Sequence, residues 1–177
     1  AGSGTDIDNI YYYYYRAYEI ANADTAMNNP EYANTILDTF ISKYPSSNQA
    51  FKLRLARIEE MEKNVTQKNA AAEAYLALYE EVKNKNINTG EITPDYLLTK
   101  AADNYRDARN RDKEIETYNL VIATYPKHTN VIPYMQLMAD YYLDKGDTLK
   151  YEQLAKEIHQ KDRTKSAYYQ WIANAKL

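Results

Sequence analysis

Two Tyr-Pro pairs, Tyr44-Pro45 and Tyr125-Pro126, stand 81 positions apart, and each closes an apolar-periodic helix before the next one opens. Proline holds the residue before it in extended backbone and cannot continue a helix, so each pair is a joint at which the chain turns. An echo at about twice the length of a two-helix unit points to stacked helical hairpins. Such an array buries its core between neighbours in sequence and presents long surfaces that bind other molecules.

The composition suits that architecture. The 177 residues include only 4 glycines and 5 prolines, whereas 20 tyrosines raise the hydrophobic fraction to 45%. One folded unit is expected over residues 7–177, behind a flexible leader, residues 1–6, whose Ala1-Gly2-Ser3-Gly4 start reads as a fusion remnant or a processing stub. If it is a processing stub, export follows. The 22 basic and 25 acidic residues are interspersed and give a net charge of −3, which leaves no basic footprint for nucleic acid. No apolar run approaches the ~20 residues of a membrane span. The absence of cysteine removes disulfide and thiol chemistry while leaving the compartment open.

A first helix is expected from Ile7 to about Asp24, dominated by Tyr11 to Tyr15. Asn29, Pro30 and Glu31 give the cap, first-turn proline and first-turn acid of a second helix, with Ala33, Ile36, Leu37, Phe40, Ile41 and Tyr44 striping one face. Ser46 or Ser47 caps a third, which runs to about Lys63 with Phe51, Leu55, Ile58 and Met61 inward, and an alanine-rich fourth spans about Gln67 to Lys85. The polar stretch from Asn84 to Glu91 is the least regular joint. Thr93 and Pro94 then restart the pattern, and Leu97, Leu98, Ala101, Ala102, Tyr105 and Ala108 stripe a fifth helix. Ile115, Tyr118, Val121, Ile122 and Tyr125 stripe a sixth; a seventh runs from about Asn130 to Lys145 and stops at Gly146. An eighth starts near Thr148, and Thr164 to Lys176 forms a helix that caps the open end of the stack.

Hairpin starts near 7, 47, 94 and 129 bracket the length of two-helix repeats. In the third hairpin Leu98, Ala101, Ala102, Tyr105, Tyr118, Val121 and Pro126 resemble a tetratricopeptide repeat without a gap, and Met138, Ala139, Tyr142, Ala155 and Ile158 follow the same pattern in the fourth. The first hairpin matches at Ala33, Leu37 and Pro45, and the second is degenerate. Glu114 and Tyr151 stand where the repeat keeps a small residue, which implies altered helix packing there. The joint from Phe40 to Ala50 is similar to that of bacterial envelope repeat proteins, namely outer-membrane assembly lipoproteins and periplasmic Tol-Pal coordinators. The resemblance implies an all-α, right-handed α-solenoid of about four tetratricopeptide-like helical hairpins with a C-terminal capping helix. It also implies an extracytoplasmic address in a bacterium, with the cytoplasm as the alternative.

In such an array the first helix of each hairpin lines the inner curve. The resemblance nominates Tyr15, Tyr18 and Asn22 in the first hairpin and Lys52, Leu55 and Glu59 in the second as partner-binding residues. Tyr96, Thr99, Asp103 and Arg106 follow in the third, with Gln136 and Asp140 in the fourth. The Lys and Asn that grip a terminal carboxylate in chaperone-docking repeats are replaced by Thr99 and Asp103, then Gln136 and Asp140, so that clamp is absent. Asp103 and Asp140 favour a basic or hydroxyl-bearing ligand, or are simply solvated.

Five successive tyrosines, Tyr11 to Tyr15, go round a whole helix at 100° per residue, so one apolar face cannot bury them all. They form an aromatic platform for a peptide, a glycan or a second copy of the chain, or else reach water with their hydroxyls. His128 and His159 read as surface residues without a partner at metal-ligand spacing. The carboxylates Glu59, Glu60, Glu62, Glu80 and Glu81 lie on helix surfaces rather than across a cleft, and no phosphate loop or nucleophile motif is present. Asp24-Thr25-Ala26 and Asp147-Thr148-Leu149 resemble O-glycosylation acceptors of exported Bacteroidetes proteins, although Thr148 is equally a helix N-cap. The expected function is a non-enzymatic scaffold, without metal or cofactor, that holds a protein or peptide segment in its concave face. The alternatives are a glycan-handling or structural accessory of an outer-membrane nutrient complex and a homodimer joined through the Tyr-rich first helix.

Overall fold

The computed structural model describes Tyr12, residues 14–16 and residues 30–162, and these are all-helical or turn, with no strand among them. Seven α-helices follow one another: α1 Pro30–Lys43, α2 Asn48–Glu62, α3 Lys68–Lys85, α4 Pro94–Asp107, α5 Arg111–Thr124, α6 Val131–Asp144 and α7 Thr148–Lys161. A short 3-10 turn, Val65–Gln67, leads into α3, and Tyr12 and residues 14–16 are helical as well. The leader, most of the first helix and the helix expected after Thr164 lie outside the described residues. The chain divides into two compact units, Ala1–Leu97 and Leu98–Leu177.

Helix ends follow local chemistry. Ser47, in extended backbone, accepts a 3.1 Å hydrogen bond from the Ala50 amide through Oγ and so satisfies one orphan donor of α2. Asn110 caps α5 by accepting from the Lys113 amide. Asp147, not Thr148, caps α7: its Oδ1 accepts from the Lys150 amide at 3.2 Å, and Thr148 is the first helical residue. At the end of α6 the Gly146 amide donates to Leu143 O and the Asp147 amide to Tyr142 O. That closure places Gly146 at φ +74°, a conformation for which a residue without a β-carbon is suited.

The two Tyr-Pro joints have the same backbone wiring. The Tyr44 amide donates to Phe40 O and the Ser47 amide to Tyr44 O; the Tyr125 amide donates to Val121 O and the His128 amide to Tyr125 O. Each tyrosine thus makes the last i to i−4 bond of its helix, and its carbonyl accepts from the third residue on, which folds the proline into a turn. In the first joint Arg54 adds a clasp, donating to Pro45 O at 2.7 Å and pairing with Glu81 at 2.7 Å. The sequence echo is therefore a repeated hydrogen-bonded turn.

In the first unit Leu37, Phe40, Ala50 and Leu53 form a buried cluster, against which Tyr12, Tyr15, Ile41 and Tyr44 pack. On its other side α2 packs on α3, where Ala71, Ala72, Tyr75, Leu78 and Tyr79 are buried. Small alanines at i and i+1 let the two helices approach closely, and tyrosines at i+4 and i+8 fill the space above them. The loop after α3, expected to be the least regular joint, is tied back. The Asn88 amide donates to Ser46 O, Asn48 Nδ2 donates to Asn88 O, and Ile87 is buried.

In the second unit α6 packs on both α5 and α7. Val131, Met135 and Ile158 are the centre of one cluster, with Ile122, Ile132 and Leu154 around it. Tyr118 of α5 stacks on Tyr134 of α6 with ring centroids 4.2 Å apart. Tyr151 is buried and Glu114 has no exposed surface, so these large residues are absorbed into the core at positions where a small one was expected. Glu114 is tolerated because both carboxylate oxygens are engaged: Oε1 accepts from the Tyr118 hydroxyl at 2.7 Å and Oε2 from Arg111 at 2.9 Å.

Candidate functional site

The first unit contains a cleft of about 520 Å³ between Tyr12, Tyr15 and Arg16 on one side and α1 and α2 on the other. Its residues follow helical spacing on each element. Tyr12, Tyr15 and Arg16 are at i, i+3 and i+4; Asn34 and Leu37 are one turn apart on α1; Lys52, Leu53, Ala56, Arg57 and Glu60 run along one face of α2. Leu37 and Leu53 belong to the buried cluster and give the cleft an apolar floor. Tyr12 and Tyr15, both half-buried, pack against the same cluster and supply an aromatic wall.

The polar rim is oriented by contacts between α1 and α2. Arg57 donates to Asp38 Oδ1 at 3.0 Å and to Asn34 Oδ1 at 2.8 Å, so its guanidinium bridges the two helices. Glu60 is paired with Lys63 one turn on. Lys52 is exposed and makes no ion pair among the described residues. The cleft thus combines a hydrophobic base, two phenol rings and a rim in which cations outnumber carboxylates. That arrangement can seat an apolar side chain and position charge around it; it brings no nucleophile next to a base.

Of the residues expected to bind a partner, Tyr15 and Lys52 meet in this cleft. Leu55 is buried, with 7% exposure. Glu59 and Tyr96, both half-buried, converge on Tyr75. Burial drives the Tyr75 phenol well above its ordinary range, Glu62, which accepts its hydrogen bond at 3.1 Å, adds to the shift, and Tyr96 and Glu59 contribute in the same direction. Tyr18 and Asn22 lie outside the described residues.

The second unit treats its expected site residues differently. Asp103 and Arg106 pair with each other at 2.8 Å along α4, and Arg106 also reaches the Tyr118 hydroxyl. Burial, followed by the hydrogen bond and charge of Glu114, pushes the Tyr118 phenol far up, so it remains a donor at any ordinary pH. Arg106, though exposed, is thereby linked to the buried pair Tyr118 and Glu114. The Thr99 hydroxyl oxygen is buried and has no hydrogen-bond partner. Gln136 is half-buried, and Asp140 is exposed beside Tyr151, whose phenol is raised first by burial and then by that carboxylate. His128 and His159 are half-buried rather than on the surface, and His128 Nδ1 accepts from the Asn130 amide at 3.1 Å.

Arg16, Asn34, Arg57 and Glu60 were not among the expected site residues. For Arg57 and Glu60 the signal in the sequence was their helical spacing from Lys52 on α2; linking that side to Asn34 and Asp38 requires knowing how α1 lies on α2. No group of three or more His, Cys, Asp or Glu side chains suited to a metal occurs among the described residues, and no helix there is long and apolar enough to cross a membrane. Comparison with known proteins finds no matching family model, no matching curated protein and no matching solved structure.

Proposed function

We propose that this chain is a non-enzymatic scaffold that holds a protein or peptide segment, with the cleft at Tyr15 and Lys52 as its contact site. The observation that carries the reading is the combination in one cavity of an apolar floor, phenol walls and a charged rim on rigid helices. Tyrosine offers a large contact area with few rotatable bonds, and fixed helices limit the entropy lost on binding. In this reading the helix pairs belong to a right-handed solenoid of tetratricopeptide type, and the resemblance of the Phe40 to Ala50 joint favours a bacterial envelope address.

Affinity capture with the intact chain as bait tests the reading when Lys52→Glu and Tyr15→Ala baits run alongside it. A stoichiometric protein retained by the parent and lost by both variants is expected; a capture indifferent to both substitutions would remove the cleft from the account. Tyr14, 53% exposed on the same helical turn, favours a second reading in which the chain handles glycans by stacking a sugar on that ring. Glycan binding that disappears in Tyr14→Ala, with Lys52→Glu unaffected, selects it.

A further inference from the structure

The cleft's chemistry narrows its occupant, given that the chain is a peptide-binding scaffold. We infer that it takes an acidic polypeptide segment, anchored by one apolar side chain that enters the cavity while carboxylates on either side of it meet the rim. Three observations lead there. The cavity of about 520 Å³ lies within the usual range for sites that enclose a small group, roughly 300–1,000 Å³. Its floor, Leu37 and Leu53, is hydrocarbon, which rewards an aliphatic or aromatic side chain and nothing charged. The rim carries its charge in an uneven way. Arg57 is neutralised by Asp38 and Glu60 by Lys63, whereas Lys52 makes no ion pair among the described residues.

The chain as a whole carries a net charge of −3, which would weakly repel an acidic segment at long range. Charges more than about 8 Å away are largely screened at physiological salt. A carboxylate at the rim therefore responds to Lys52, and the remote acids contribute little. Arg57 adds selectivity of a different kind. Its fork is held by Asn34 and Asp38, so the wall it forms is pre-positioned.

The test uses the intact chain and two fluorescent ten-residue peptides, one with a central leucine flanked by aspartates and one with the same leucine flanked by lysines, read by anisotropy. The acidic peptide is expected to bind at least about tenfold more tightly than the basic one, with affinity falling as salt rises. Replacing its leucine by alanine, or Lys52 by glutamate, is expected to cost about tenfold each while the thermal unfolding curve stays unchanged. Equal binding of the two peptides, or an acidic peptide indifferent to Lys52→Glu, overturns the assignment. So does an oligonucleotide of equal charge that binds as tightly as the peptide, because it lacks the apolar anchor. If the captured partner still depends on Tyr15 but the acidic peptide does not bind, the scaffold reading survives and the acidic-segment inference fails. If neither binds, both fail.

Discussion

Asn48 reaches across to the loop at Gly90 so closely that a β-carbon on Gly90 would lie 2.9 Å from Asn48 Nδ2. The same amide nitrogen donates to Asn88 O, and the Gly90 amide donates to Asn88 Oδ1, so the loop after α3 closes on the start of α2. Gly90 is at φ +65°. Gly90→Ala therefore meets both backbone strain and a clash, whereas Gly146→Ala, at φ +74° with no atom near its β-carbon, meets only the first. Urea unfolding should show Gly90→Ala costing more than about 1 kcal/mol and more than Gly146→Ala. Equal costs would mean that the Asn48 side chain moves aside freely.

The Glu114 carboxyl is fully buried, so the stability of the fold there depends on its two partners. Tyr118→Phe removes the 2.7 Å donor to Oε1 while keeping the ring stacked on Tyr134. A loss of about 1–3 kcal/mol is expected from the oxygen left unsatisfied. A double-mutant cycle with Glu114→Gln checks the cause: the two substitutions should couple rather than add.

Tyr79 presents the opposite case. Its ring is buried and its hydroxyl has no hydrogen-bond partner, so the oxygen is desolvated without compensation. Tyr79→Phe should leave stability unchanged or raise it by about 1 kcal/mol. A clear loss in chemical denaturation would reveal a bond formed by that hydroxyl in solution.

The Asp112 carboxyl is held below its usual range, first by the Tyr141 hydroxyl, which donates at 2.6 Å, and then by Lys145. A depressed folded-state value stabilises the fold above the unfolded-state pKa of about 3.9 and loses that contribution as pH falls through the folded-state value. Asp112→Asn should be less stable than the parent near neutral pH, and the difference should vanish in acid. The effect is small because the carboxylate is exposed. Thermal melts of the two proteins between neutrality and about pH 2 follow the convergence; a constant gap would assign the loss to something other than ionisation.

Local signals in the sequence carried much of the fold. Pro30 and Pro94 begin helices where first-turn proline is favoured, Ser47 caps α2, Gly146 ends α6, and Leu97, Leu98, Ala101, Ala102 and Tyr105 are buried as their spacing requires. These features depend on neighbours within about four residues. What depended on contacts from further along the chain was harder to read. Leu53 is buried although the expected stripe omitted it, because α2 is covered on two sides, by α1 and by α3. Glu114 stands where the repeat keeps a small residue, and what makes its burial tolerable, the contacts of its carboxylate with Tyr118 and Arg111, shows only in the structure. Half of the cleft was legible through Tyr15 and Lys52; the other half, Asn34 with Arg57, exists only once α1 and α2 are in register.

Site-specific photo-cross-linking in cells tests most directly whether the cleft holds a polypeptide. A benzophenone amino acid is placed at Ala56, which is exposed and lines the cavity, and in a second variant at Gln153, which is exposed on α7. Irradiation should give a discrete higher-mass polypeptide adduct from position 56, abolished by Lys52→Glu, and none from position 153. No adduct at position 56, or the same adduct from both positions, would contradict the account.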